Sequence, residues 1–204
     1  MIIIAGLGNP GAKYAYNRHN FGFLAVSEMA DRWRFGPWKK KFQSEAAEGE
    51  IGGVRALILK PQTYYNESGR AVGEAMRFYK LTPADVIVFH DEIDLAPGRF
   101  RMKTGGGAAG NNGIRSLTDV IGPDFRRARL GTGHPGDKDL VMQHALSDFS
   151  KAELEWVAPL IVACADAADL LAAGEDEKYQ GKVLMLAPAP KADPRKPQTG
   201  PAET

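Results

Sequence analysis

With 204 residues the chain is long enough for one sizeable core and short for two, so one compact domain is expected. Its 44% hydrophobic and 25% charged residues are ordinary for a globular protein in water and exclude disordered or collagen-like chains. The formal net charge of +1 argues against a protein that coats nucleic acid by bulk attraction, but it leaves local basic patches open.

No apolar stretch reaches the roughly 20 residues of a membrane helix, and no basic segment precedes the N-terminal apolar run. A cytoplasmic, unprocessed protein with no membrane partner is the expectation. A single cysteine, Cys164, excludes an internal disulfide and a thiolate metal cage.

In chain order, residues 1–7 form an apolar run ended by glycines and Asn9-Pro10, which predicts a buried core strand. From about Asn20 to Arg34 the residues Phe21, Leu24, Ala25, Met29 and Trp33 recur at helical spacing, with Gly36-Pro37 as a stop. Two extended segments over 40–60, the second Val54 to Leu59, meet near Gly52-Gly53 and predict an antiparallel hairpin. A helix over Asn66 to Tyr79 follows, then an apolar strand Val86–Phe89 that delivers His90 and Asp91 to its carboxyl end. Ligands gather at that end of an open α/β sheet. A short strand near Arg99–Lys103 leads to a glycine-rich loop, a helix over Asn111–Val120 and a strand over Arg127–Gly131.

Ser150 and Glu153 form a capping-box pattern, after which Leu154, Val157, Ile161, Cys164, Ala168 and Leu171 keep one apolar face. Cys164 on that face reads as a small buried hydrophobe. Residues 187–204 are too rich in proline and polar residues to bury surface, so a disordered tail is expected after a domain spanning 1–186. Strands alternating with helices predict a single three-layer α/β/α domain, its sheet mixed because of the early hairpin.

Gly6-Leu7-Gly8-Asn9-Pro10-Gly11 has the spacing of a dinucleotide fingerprint, yet that motif needs a helix to begin within the glycine turn. Here the chain continues irregularly to Asn20, which disfavours a nicotinamide cofactor. The four histidines, His19, His90, His134 and His144, have no spacing that sets two on one metal, so no metal is expected. His90 and Asp91 are adjacent in an extended segment and face opposite sides. His19 sits in a loop among Asn9, Tyr14, Asn17, Arg18 and Asn20, a fitting place for a base that works near neutral pH. Asn9, Asn66 and Asn112 lie beside turns, where an amide serves turn chemistry or grips a peptide and a water. Basic clusters at 32–41, 99–103 and 126–129 suggest phosphate contacts.

Five ordered blocks then resemble bacterial peptidyl-tRNA hydrolases: GLGNPGAKYAYNRHNFG at 6–22, KPQTYYNESG at 60–69, FHDEIDLAPG at 89–98, KTGGGAAGNNG at 103–113 and FRRARLGTGHPG at 125–136. The resemblance implies a monomeric, cofactor-free α/β/α hydrolase acting on peptidyl-tRNA, with contacts to the tRNA acceptor end and the attached peptide. By position it makes His19 the base and Asp91 its orienting carboxylate. Asn9, Asn66 and Asn112 would hold peptide and water, Tyr14 would stand at the cleft, Tyr65 beside Asn66 would contact substrate, and Lys103 and Arg129 would approach tRNA phosphates. A water activated by His19 would attack the ester directly, with no covalent intermediate.

Three positions depart from the family's pattern. Tyr65 stands where methionine is usual, and Ala108 and Asn111 replace two histidines of the glycine-rich loop. They leave a second possibility, an RNA-binding relative with weakened catalysis.

Overall fold

The computed structural model describes residues 1–191, and the remaining residues of the proline-rich segment, 192–204, lie outside them. Seven strands form one mixed sheet in the order β2-β3-β4-β1-β5-β7-β6. The strands are β1 (Ile2–Gly6), β2 (Lys39–Lys41), β3 (Ser44–Ile51), β4 (Val54–Pro61), β5 (Val86–Glu92), β6 (Phe100–Thr104) and β7 (Arg126–Gly131). Central β1 runs parallel to β4 and β5, and β5 runs parallel to β7. The hairpin β3–β4 is antiparallel, as Gly52-Gly53 predicts, and β6 adds a second antiparallel edge on β7.

Every residue of β1 and β5 is buried, because helices cover both faces of the sheet. The period-two alternation sorts their side chains between two cores. Ile2, Ile4, Ile87 and Phe89 join one, packed against α1 (Phe21–Arg32) and the C-terminal helices, while Ile3, Ala5, Val86 and Val88 join the other, beneath α2 (Ser68–Phe78) and α3 (Asn112–Ile121). This is the expected α/β/α sandwich.

Helix α1 enters close to the sheet because Gly22 lacks a side chain. A Cβ there would collide with the Phe89 carbonyl and with the backbone of Leu7. The same close approach brings the preceding loop, with His19, over the end of β5.

Several elements differ from the sequence expectations. A 3-10 turn, Tyr65–Glu67, precedes α2, and a short α4 (Val141–Ala145) follows β7. The single apolar face expected over Leu154–Leu171 is divided at Ala167 between α5 (Lys151–Asp166) and α6 (Ala168–Ala172), and Leu154 is exposed. Helix α7 (Asp176–Leu186) was not anticipated: only Tyr179 and Val183 are buried along it, too few for a clear apolar stripe. Cys164 is fully buried, and burial pushes its thiol up to about 12, so it packs as a hydrophobe. Past the helix, Ala187 is buried and Pro190 lies against Gly98, so the first residues of the expected tail touch the domain.

Candidate active site

The loop leaving β1 folds back on itself through Asn20. Its side chain accepts from the Asn9 amide at 2.9 Å and donates to the Asn9 carbonyl at 3.0 Å. Asn9 is thereby fixed with its Oδ1 accepting from the Tyr65 backbone N–H at 2.9 Å. One asparagine thus ties the β1 loop to the turn that opens α2.

Arg18 anchors the other side of that loop. Its buried guanidinium grips both oxygens of Glu153, at 2.7 and 2.6 Å, and donates to the Ser147 hydroxyl and to the carbonyls of Ser147 and Asp148. Asn17 donates to the Asp148 carboxylate beside it. His19, next in the chain, therefore hangs from a loop secured at both ends.

Its Nδ1 lies 2.7 Å from Asp91 Oδ2, although 72 residues separate the two. Asp91 is 3% exposed at the end of β5, and the His19 side chain keeps 20% of its surface. Burial works against a charged imidazole, but the adjacent Asp91 carboxylate outweighs it and holds His19 above its ordinary value. Burial likewise opposes ionisation of Asp91, and here His19 and the Tyr65 hydroxyl prevail and hold the carboxyl below its usual range. With the Nδ1 proton donated to Asp91, the Nε2 lone pair is left to act as a base.

Tyr65, expected to contact substrate, is 4% exposed and turned inward. Its hydroxyl donates to Asp91 Oδ1 at 2.7 Å, and its ring stacks on His19 at a centroid distance of 3.9 Å and an interplanar angle of 5°. Asn111 caps α3 by accepting from the Ile114 N–H, and its amide donates to the Tyr65 hydroxyl at 3.0 Å and the Asp91 carbonyl at 3.3 Å. Neither contact was legible from spacing, since the partners come from three separate elements.

The remaining candidates are spread around this centre. Tyr14 lines a cleft of about 430 Å³ together with Pro10, Lys13, Gln62, Thr63, Tyr64 and Glu67. Asn66 and Asn112 are exposed, on the 3-10 turn before α2 and the first turn of α3, two segments that pack together. Lys103 is exposed on edge strand β6, while Arg129 on β7 pairs with Glu92 at 4.0 Å. The arginine run of β7 is divided by the strand's alternation. Arg126 binds Asp176 and the Leu171 carbonyl, whereas buried Arg127 donates to the carbonyls of Gly106 and Gly107 and shapes the glycine-rich loop. Of the cluster at 32–41, Arg32 pairs with Asp166, and Trp33, Phe35 and Trp38 pack on the core, so these residues serve the fold. Among the described residues no group of three His, Cys, Asp or Glu side chains is arranged to hold a metal ion.

The family model described as peptidyl-tRNA hydrolase matches residues 3–189. The chain belongs to this family. It is 72% identical over 200 residues to the peptidyl-tRNA hydrolase of Phenylobacterium zucineum, an alignment that covers 96% of each protein. Against that of Caulobacter vibrioides it is 63% identical over 201 residues, covering 97% of this chain and 98% of the relative. The crystal structure of peptidyl-tRNA hydrolase from Acinetobacter baumannii superposes with a TM-score of 0.87 at 37% identity, over 93% of this chain and 97% of that one. The mixed α/β/α architecture is thus that of the family.

Proposed function

We propose that the chain hydrolyses the ester joining a peptide to the 3′ end of tRNA, freeing the tRNA, with His19 as general base. The observation that carries the reading is the His19–Asp91 pair, at 2.7 Å, at the carboxyl end of the central strands. An ester already has an acceptable alkoxide leaving group, so a water deprotonated by His19 Nε2 attacks the carbonyl without a covalent intermediate. Asp91 keeps the proton on Nδ1 and stabilises the imidazolium that forms. Exposed Asn66 and Asn112, each following in the chain a residue that bonds to Asp91, would hold the water and the developing oxyanion, and Asn9 and Tyr14 would receive the peptide.

Strand register gathers cations at one edge of the sheet. Arg101 lies opposite Arg129, and Lys103 opposite Arg127, across the β6–β7 ladder. Residues opposite one another in a ladder share a face, so these cations are gathered where a polyanion could approach. Lys103 and Arg129 are the proposed phosphate contacts. The reading includes a monomer acting in the cytoplasm without metal or cofactor. Among the described residues no helix is long and apolar enough to cross a membrane.

The test is release of the blocked amino acid from N-acetyl-aminoacyl-tRNA, with unblocked aminoacyl-tRNA as control and a chelator present. Selective release that His19→Ala abolishes, roughly a thousandfold or more for loss of a general base, is the expected result. Ala108 and Asn111, in place of two histidines, favour the binding-only alternative, which predicts tRNA binding with no release above background.

A further inference from the structure

The base and its carboxylate are held by two residues that meet in space. Asp91 has two carboxylate oxygens, and His19 occupies only Oδ2. The Tyr65 hydroxyl occupies Oδ1, and the same tyrosine lays its ring flat on the imidazole. A buried phenol usually finds some acceptor, so the hydrogen bond alone would say little. What distinguishes this one is that a single side chain fixes both members of the pair, one through its hydroxyl and one through its face. Asn111 then donates to the phenol oxygen and to the Asp91 carbonyl. Gly113 leaves the space for the ring, because a Cβ there would collide with the Tyr65 ring.

We propose that Tyr65 and Asn111 form a positioning relay, in which Asn111 holds the phenol, the phenol holds Asp91 Oδ1, and the ring fixes the plane of His19. The assignment rests on His19 acting as the base. Donation from Asn111 polarises the phenol and strengthens its hydrogen bond to Asp91, so the two residues act in series. Burial first, and then the Asp91 charge, hold the phenol well above its ordinary value, so it remains a donor throughout the working pH range.

The relay also sets how strongly Asp91 acts on His19. A carboxylate that shares its charge with a phenolic O–H stabilises an imidazolium less than one that does not. Removing the hydroxyl should therefore raise the pH at which His19 titrates, besides loosening its orientation.

The experiment is to titrate the His19 ring by NMR and to measure kcat and KM against pH, with N-acetyl-aminoacyl-tRNA as substrate. The variants are Tyr65→Phe, which keeps the ring and its stacking, Asn111→Ser, which keeps a good helix cap but removes the amide donor, and the double variant. Tyr65→Phe should raise the His19 midpoint and the acid limb of kcat by about half a unit, and lower plateau kcat about fivefold with KM within about twofold. Asn111→Ser should shift both in the same direction by less, and the double variant should be no worse than Tyr65→Phe alone. A midpoint unchanged in Tyr65→Phe would overturn the proposal, as would losses in the double variant that multiply those of the singles. Thermal unfolding of each variant separates a lost fold from a lost relay, with Asn111→Ser carrying the test if Tyr65→Phe unfolds. Retention of activity in His19→Ala would instead overturn the assignment of the base, and the NMR midpoints would still report on the relay.

Discussion

His90 and Asp91 are neighbours in one strand, and their surroundings lower both, which keeps His90 neutral and Asp91 charged. Burial first, opposed by the Asp91 charge and reinforced by Arg127 and Arg129, lowers His90 to about 4. It stays neutral and donates its Nδ1 proton to the Asp91 carbonyl at 2.8 Å. Unfolded, the same imidazole titrates near 6.5. At this group the unfolded state therefore binds more protons between the two values, and its contribution to stability falls as pH drops through that window. Denaturation from pH 7 to pH 4 should register a loss of up to about 3 kcal/mol from this group. His90→Gln, which keeps an N–H donor but cannot take a proton, should flatten that dependence. An equally steep loss in the variant would assign it to other groups. Sequence alone placed His90 and Asp91 on opposite faces, because alternation along a strand is local. It offered no sign that Asp91 would meet Tyr65 and Asn111, since those contacts depend on how three elements converge.

At the scale of elements, the Arg18 clamp joins the His19 loop to the segment around α4. Arg18 and Glu153 are largely buried, with side-chain exposures of 10% and 23%, and Glu153 also closes the capping box of α5 with Ser150. Removing one partner of such a pair strands the other charge. Arg18→Ala should cost about 3 kcal/mol in thermal unfolding. It should also lower kcat more than KM, because His19 is the next residue, and speed amide hydrogen exchange over 141–149. Unchanged exchange in that segment would mean that the clamp does not hold it. The capping box of α5 was legible because it lies within four residues. Arg18 was not, because its partner lies 135 positions away. Helix α7 escaped notice for a related reason: its few buried positions gain their apolar neighbours only once α5 and β6 are in place.

For the molecule as a whole, net charge near zero conceals an uneven distribution. The β6–β7 ladder gathers Arg101, Lys103 and Arg129 on one side of the sheet edge. With a tRNA ester as substrate, kcat/KM should fall with rising salt through counterion release. Lys103→Ala should lower the slope of log kcat/KM against log salt by about one. Arg129→Ala should lower it by less, because Glu92 already neutralises part of that charge. Slopes identical to the parent's would place the phosphate contacts elsewhere.

Short-range chemistry was legible in the order of residues. Runs and alternation marked the strands, helical spacing marked α1 to α3, glycine pairs marked the hairpin, and the ordered motifs singled out His19 and Asp91. Only the tertiary structure decided which face each strand residue serves, which basic residues are spent on the fold, and which donors surround Asp91. Those are long-range contacts. A side chain's hydrogen-bonding capacity is written in its type, but its partner is settled by packing, as Tyr65 illustrates: a tyrosine expected to contact substrate is buried, bridging the carboxylate and the imidazole.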